Sequence, residues 1–177
     1  MALFTIGHST RSFDALVELL RAHGIELLAD VRTVPRSRRV PHFDRQVLVE
    51  KLPGRGLDYV HLPALGGLRR PRLDSINTGW RNDAFRGYAD HMATDEFRGA
   101  LDGLVERARD RDVAVMCAEA VPWRCHRNLL SDALVARGVP VLHILGTAQA
   151  QPHTLTPFAR VEGDRVSYPG PEQQRLL

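Results

Sequence analysis

The chain of 177 residues predicts an α/β fold: one three-layer domain with a mostly parallel sheet of about five strands flanked by helices, plus a small C-terminal hairpin. Three observations predict it. Short apolar runs alternate along the chain with stretches of 3.6-residue periodicity. The runs are apolar at consecutive positions rather than at every second one, as parallel strands covered on both faces require. Glycine follows two of the helical stretches directly, at Gly24 and Gly138, where a left-handed residue can end a helix. The domain is expected to take in residues 1–177, with a core over about 3–146 and a hairpin and tail over about 147–177.

In order, Leu3 to Gly7 is the first apolar run and is expected to be a strand. Ser12 to His23 places Phe13, Leu16, Val17 and Leu20 on one stripe, with Ser12 as N-cap and Gly24 as stop. Ile25 to Val31 is the second strand. A basic loop follows, then a short helix opened by Asp44 and closed before Pro53, and Leu57 to Leu62 is the third strand. Gly66 to Asn82 is rich in Gly, Pro, Arg and Asn and is expected to be a long irregular loop, a candidate lid. Thr94 caps a helix with Phe97, Leu101, Leu104, Val105 and Ala108 on its apolar face. Val113 to Cys117 is the fourth strand, His126 to Arg137 a helix, and Val139 to Ile144 the fifth strand. Phe158 to Val161 and Arg165 to Tyr168 are expected to form a hairpin turning at Glu162-Gly163-Asp164.

Composition narrows the function classes. Hydrophobic content of 44% and charged content of 25% are globular averages and exclude disorder and coiled coil. No apolar run reaches the ~20 residues that cross a bilayer, and Ala2-Leu3-Phe4 lacks a charged leader, so a cytoplasmic protein without a membrane partner is expected. Two cysteines cannot form a disulfide framework and are expected as reduced thiols.

A net charge of +3 does not demand nucleic acid, and the arginine excess over the single Lys51 fits a GC-rich coding sequence. Its distribution says more. Residues 32–72 hold ten basic and three acidic side chains, +7, leaving the remaining 14 basic and 18 acidic at −4. This segment starts at a strand end and could draw an anion to it, with Phe43, Tyr59, Trp80 and Phe85 available for stacking on a base. The alternative is a solvated face with its arginines paired to acidic helices.

The unusual side chains gather after the strands. The first ends at Gly7-His8-Ser9, the second at Asp30-Val31-Arg32, and the fourth at Cys117-Ala118-Glu119, whose loop runs through Cys125-His126-Arg127 into a helix. The C-terminal edge of a parallel sheet is where such folds bind ligands, so these groups are expected to line one pocket. Cys125 stands before free helix amides with Arg124, His126 and Arg127 beside it, a setting that lowers a thiol pKa. It is a candidate nucleophile, a metal ligand or part of a turn. Cys117 is either a second reactive thiol or a small core residue.

Arg127 and Arg32 are candidate anion clamps. The structural alternative is a salt bridge from Arg127 to Asp30 or Glu119, and Asp30 and Arg32, two apart on a strand, could pair with each other. His8 or Glu119 could act as general base with Asp30 orienting a partner, or His8 could cap the following helix. Ser9 and His126 complete the candidate ligand-binding set. A metal would need Cys117, Cys125, His126 and His8 assembled by the fold, because Cys-x7-Cys-His is not a zinc-knuckle spacing. A phosphatase loop needs Cys, five residues and then Arg, but from Cys117 that position holds Trp123, with Arg124 one step late, and no P-loop or G-x-G-x-x-G is present.

Thr5-Ile6-Gly7-His8-Ser9, Asp30-Val31-Arg32 with Pro35 and Ser37, Leu65-Gly66-Gly67, Met116-Cys117-Ala118-Glu119, Cys125-His126-Arg127 and His143-Ile144 together resemble the domain-of-unknown-function 488 family over about residues 3–168. The resemblance implies a small, soluble, prokaryotic α/β protein and carries no reaction with it. From its residues, the chain reads as an enzyme acting on a phosphorylated or nucleotide-like anionic small molecule, hydrolase- or transferase-like, with cofactor and oligomeric state unknown. The alternatives are a nucleotide or nucleic-acid binding module without turnover, and a Cys/His metal-binding protein.

Overall fold

The computed structural model describes residues 1–171. Four parallel pairings build the main sheet from β1 (Leu3–Gly7), β2 (Leu27–Asp30), β3 (Asp58–His61), β4 (Val113–Cys117) and β5 (Val141–Ile144), and the short β6 (Gln151–Pro152) adds antiparallel to β5. The strand order is β3-β2-β4-β1-β5-β6. A separate hairpin, β7 (Arg160–Glu162) with β8 (Arg165–Ser167), closes the described chain, so the α/β architecture with a C-terminal hairpin is as expected.

Alternation along β4 fixes the three layers. Val113, Val115 and Cys117 belong to one apolar cluster, while Ala114 and Met116 belong to another. The first cluster takes its cover from α3 (Asp83–Met92), α4 (Asp95–Arg107) and α5 (Arg127–Ala136), through Tyr88, Phe97, Leu101, Leu104, Leu129 and Leu134. The second is covered by α1 (Phe13–Ala22) and α2 (Arg45–Lys51), through Leu16, Val17, Leu20 and Leu48. Burying both faces is what makes β4 apolar at every position.

This division decides where a ligand can sit. The crossovers leaving β1 and β2 pass over the α1/α2 face, and the one leaving β4 passes over the opposite face. Since β4 lies between β2 and β1, its end is flanked on both sides by chains that turn away from it. A crevice opens there, as the switch-point rule for open sheets requires.

The local signals act as their chemistry predicts. Ser12 accepts from the amide of Ala15 and Thr94 from that of Phe97, capping α1 and α4. Gly24 and Gly138 end helices at φ +67° and +75°. Asp44 opens α2 but sends its carboxylate to the Ser37 amide, folding back the basic loop.

Several expectations are corrected. The strands are shorter than the apolar runs: β2 omits Ile25, Glu26 and Val31, and β5 omits Val139 and Pro140, although Val31 still donates to Met116 and Pro140 accepts from Leu3 just beyond the ladders. The hairpin strands likewise start at Arg160 and end at Ser167. β6 adds a short antiparallel edge strand to the five parallel ones. The helix α3 lies in a stretch where the sequence pattern predicts no element. It buries Gly87, Asp90 and His91 besides apolar residues, so it shows no clean apolar stripe, although Asn82 caps it by accepting from the amides of Ala84 and Phe85.

Gly66 to Asn82 has no regular structure, as expected, but it is tied down. Asp90 accepts from the Arg72 amide, the Ser75 hydroxyl and the Asn77 side chain, and Asn77 accepts from the Tyr168 amide. Among the described residues no helix is long and apolar enough to cross a membrane.

Candidate active site

Beyond the strand ends, β1 and β4 stay together: the His8 amide donates to the Cys117 carbonyl and the Ser9 amide to that of Ala118. Ser9 turns the chain at φ +50°. Gly7 permits the close approach, since a Cβ there would lie 1.7 Å from the Glu119 carbonyl oxygen.

On the α5 side, Cys117 and Cys125 are free thiols whose sulfurs lie 2.7 Å apart. Arg127, only 1% exposed, lies beneath them and directs Nε to Cys117 at 2.9 Å and to Cys125 at 3.4 Å. The Arg127 amide, in the first turn of α5, donates to Cys125 Sγ at 3.3 Å. Its Nη2 donates to the Glu119 carbonyl at 2.6 Å and its Nη1 reaches Thr5 Oγ1 at 3.5 Å. Arg127 therefore pairs with neither Asp30 nor the Glu119 carboxylate, and its guanidinium faces sulfur rather than the cleft.

The electrostatics divide the pair. Burial pushes both thiols up. For Cys117, the hydrogen bond to Cys125 and the charge of Cys125 push the same way and hold its proton on. For Cys125, the hydrogen bonds from Cys117 and His126 and the charge of Arg127 outweigh burial and hold the thiol well below its ordinary range. The surroundings thus favour the thiolate at Cys125 and the protonated thiol at Cys117.

On the α1/α2 side, Asp30 and Arg32 form the pair that their spacing allowed. Arg32 Nε and Nη2 donate to the two carboxylate oxygens at 2.9 and 2.6 Å. Tyr59 also donates to Asp30, so this carboxylate is satisfied in full burial. His8 Nδ1 donates to the Ser9 carbonyl at 2.8 Å, which leaves Nε2 to accept from Arg32 Nη1 at 3.2 Å. Burial first, then the charge of Arg32, lowers His8 to about 4.

A cleft of about 220 Å³ joins the two sides, lined by Arg32, Val34, Leu68, Glu119, Cys125 and His126 among others. Of the expected site residues, Arg32, Cys117, Glu119, Cys125 and His126 reach this cleft; Asp30, His8 and Arg127 stand behind it. Ser9 contributes its backbone. His126 packs on Tyr88 with ring centroids 5.0 Å apart, and its buried Nε2 has no hydrogen-bond partner among the described residues. The lip of the long loop enters at Gly66 and Gly67, whose close fit to Thr33 and His126 leaves no room for a Cβ.

Sequence reasoning missed a second buried array. Thr5 Oγ1 bonds His143 Nδ1 at 2.7 Å, His143 Nε2 bonds His153 Nδ1 at 3.0 Å, and His153 Nε2 bonds Asp132 at 2.8 Å. Asp132 also accepts from the Thr156 amide and the Tyr168 hydroxyl. Only the adjacency of Thr5 and His143 could have been anticipated, because facing positions of neighbouring strands bring them together.

The family model for the domain of unknown function DUF488 matches residues 12–134. The chain belongs to the DUF488 family. That match includes Arg32, Cys117, Cys125 and Arg127 but not Thr5, Gly7 or His8, so it is narrower than the span of the motifs. No curated protein and no solved structure matches the chain.

Proposed function

We propose that this DUF488 protein is a thiol-dependent enzyme in which Cys125 attacks an electrophilic centre of a small anionic molecule, phosphorylated or nucleotide-like, in the strand-end cleft. One observation carries the reading: Cys125 lines the cleft at the switch point while Cys117, the Arg127 amide and the Arg127 guanidinium all direct donors at its sulfur. A nucleophile held as a thiolate by fixed donors is what covalent catalysis needs. In this reading His126 on the cleft wall supports the Cys125 thiolate through its hydrogen bond, and Glu119 on the same wall is the candidate base. His8 has its electron pair engaged and orients Arg32, whose remaining donor capacity and charge meet the anion. Asp30 fixes Arg32, and Arg127 and Cys117 hold the thiolate.

The basic segment supports the anionic substrate. Among the described residues, Arg36, Arg38, Arg39, Arg45 and Arg70 form no ion pair, so their charge is free to raise the local potential. The same arginines favour a second reading, a nucleotide or nucleic-acid binder without turnover. Among the described residues, no three His, Cys, Asp or Glu side chains gather closely enough to hold a metal ion.

Alkylation with iodoacetate and iodoacetamide tests the leading reading. Cys125 is expected to react with a midpoint clearly below the ~8.5 of a free thiol, and the anionic reagent should gain on the neutral one at low salt. A midpoint near 8.5, or a Cys125→Ser variant that alkylates like wild type, overturns it. An affinity for single-stranded nucleic acid that falls steeply between about 50 and 200 mM salt would favour the second reading instead.

A further inference from the structure

We propose that Cys117 and Cys125 form a reversible dithiol–disulfide couple, in which Cys125 attacks a low-molecular-weight disulfide and Cys117 resolves the mixed disulfide. The inference rests on the assignment of Cys125 as the thiolate and goes beyond it, because that role alone gives Cys117 no chemistry of its own. Two free thiols eight positions apart are held in hydrogen-bond contact, and both residues line one cleft. A couple of this kind needs a thiolate, a partner thiol within reach and access for the oxidant.

The steps balance. The Cys125 thiolate attacks one sulfur of R–S–S–R, forming Cys125–S–S–R and releasing RS⁻. The Cys117 thiol then gives up its proton and attacks Cys125 Sγ. The Cys117–Cys125 bond forms, the bond to the second R–S breaks, and a second RS⁻ departs. In sum, one small disulfide is reduced to one thiol and one thiolate, the protein pair is oxidised by two electrons, and the proton lost from Cys117 is the one the thiol carries away.

Arg127 supplies the handover between these steps. In the resting pair the charge of Cys125 is one reason Cys117 keeps its proton. Once Cys125 is capped that charge is gone, while Arg127 Nε still points at Cys117 Sγ from 2.9 Å. The same guanidinium that favours the first thiolate then favours the second. Because Arg127 stabilises the reduced, charged form, the disulfide should be readily reduced again, as in couples whose thiolate is strongly stabilised.

The full-length protein is incubated with 2-hydroxyethyl disulfide and followed by intact mass and peptide mapping. Wild type should lose two hydrogens and keep no adduct, with the Cys117 and Cys125 peptides linked, and a small thiol should restore both thiols. Cys117→Ser should retain one adduct on Cys125, and Cys117→Ala gives the same readout if the serine variant folds poorly. A stable adduct on wild-type Cys125 with Cys117 still free overturns the couple but leaves the nucleophile standing. No modification of Cys125 in either protein overturns both.

Discussion

At the residue scale, the site turns on which atoms occupy the space around two sulfurs. Arg127 is almost wholly enclosed, and four of its donor contacts go to Cys117, Cys125, Thr5 and the Glu119 carbonyl. Replacing it with methionine removes the charge and its hydrogen bonds together. The Cys125 alkylation midpoint should rise toward the free-thiol value, and urea denaturation should show a loss of about 3 kcal/mol or more, as breaking a buried charge pair does. Gly7 is constrained as tightly from the other side. Gly7→Ala would force β1 and the Glu119 backbone apart and should destabilise by about 3 kcal/mol, read as a lower denaturation midpoint. Residue types alone made Cys117, Cys125, Arg32 and Arg127 visible, because thiols and arginines beside strand ends stand out. They could not say that Arg127 faces sulfur rather than the ligand, since that depends on a side-chain direction set by the Glu119 carbonyl and Thr5.

At the element scale, the apolar runs made the strands legible and the alternation of apolar and helical stretches made the layers legible. What escapes the apolar pattern is α3, because its buried face includes Asp90 and His91, which bond partners remote in sequence. Asp90 on that helix holds three donors of the preceding loop. An Asp90→Ala variant should therefore lose about 2 to 3 kcal/mol for the donors left unpaired. Hydrogen exchange over residues 72–77 should quicken more than in β4. Asn82→Ala removes the cap of the same helix and should cost about 1 kcal/mol without that local signature. The contrast separates a loop pinned by one carboxylate from a helix that frays.

At the scale of the whole molecule, two buried histidines make stability depend on acidity. Burial first, then neighbouring positive charge, lowers His8 and His143 from 6.5 to about 4. The unfolded chain takes up protons at these positions near 6.5, while the folded protein refuses them until about 4. Between those limits the unfolded state binds more protons, so stability falls as pH drops from about 6.5 to about 4 and is fully present above that window. Thermal unfolding across this range should show the fall, and His143→Gln should flatten it. No composition or spacing announced His143 as a titrating group; its burial comes from β5, β6 and α5 closing around it.

The array that holds His143 also bears on what becomes of Arg127 when the sulfurs lose their charge. Asp132 accepts, so His153 Nε2 must donate to it. His153 Nδ1 then accepts from His143 Nε2, and His143 Nδ1 accepts from the Thr5 hydroxyl, which is left to accept from Arg127. Every bond points the same way, from a guanidinium to a carboxylate. Asp132 is thus linked to Arg127 through three side chains, those of Thr5, His143 and His153. If the proposed couple operates, the Cys125 thiolate neutralises Arg127 in the reduced protein, and in the oxidised one the hydrogen-bonded route to Asp132 is what remains. On that reading the interior could lose one negative charge at sulfur while Arg127 keeps its hydrogen bonds to Thr5 and the Glu119 carbonyl.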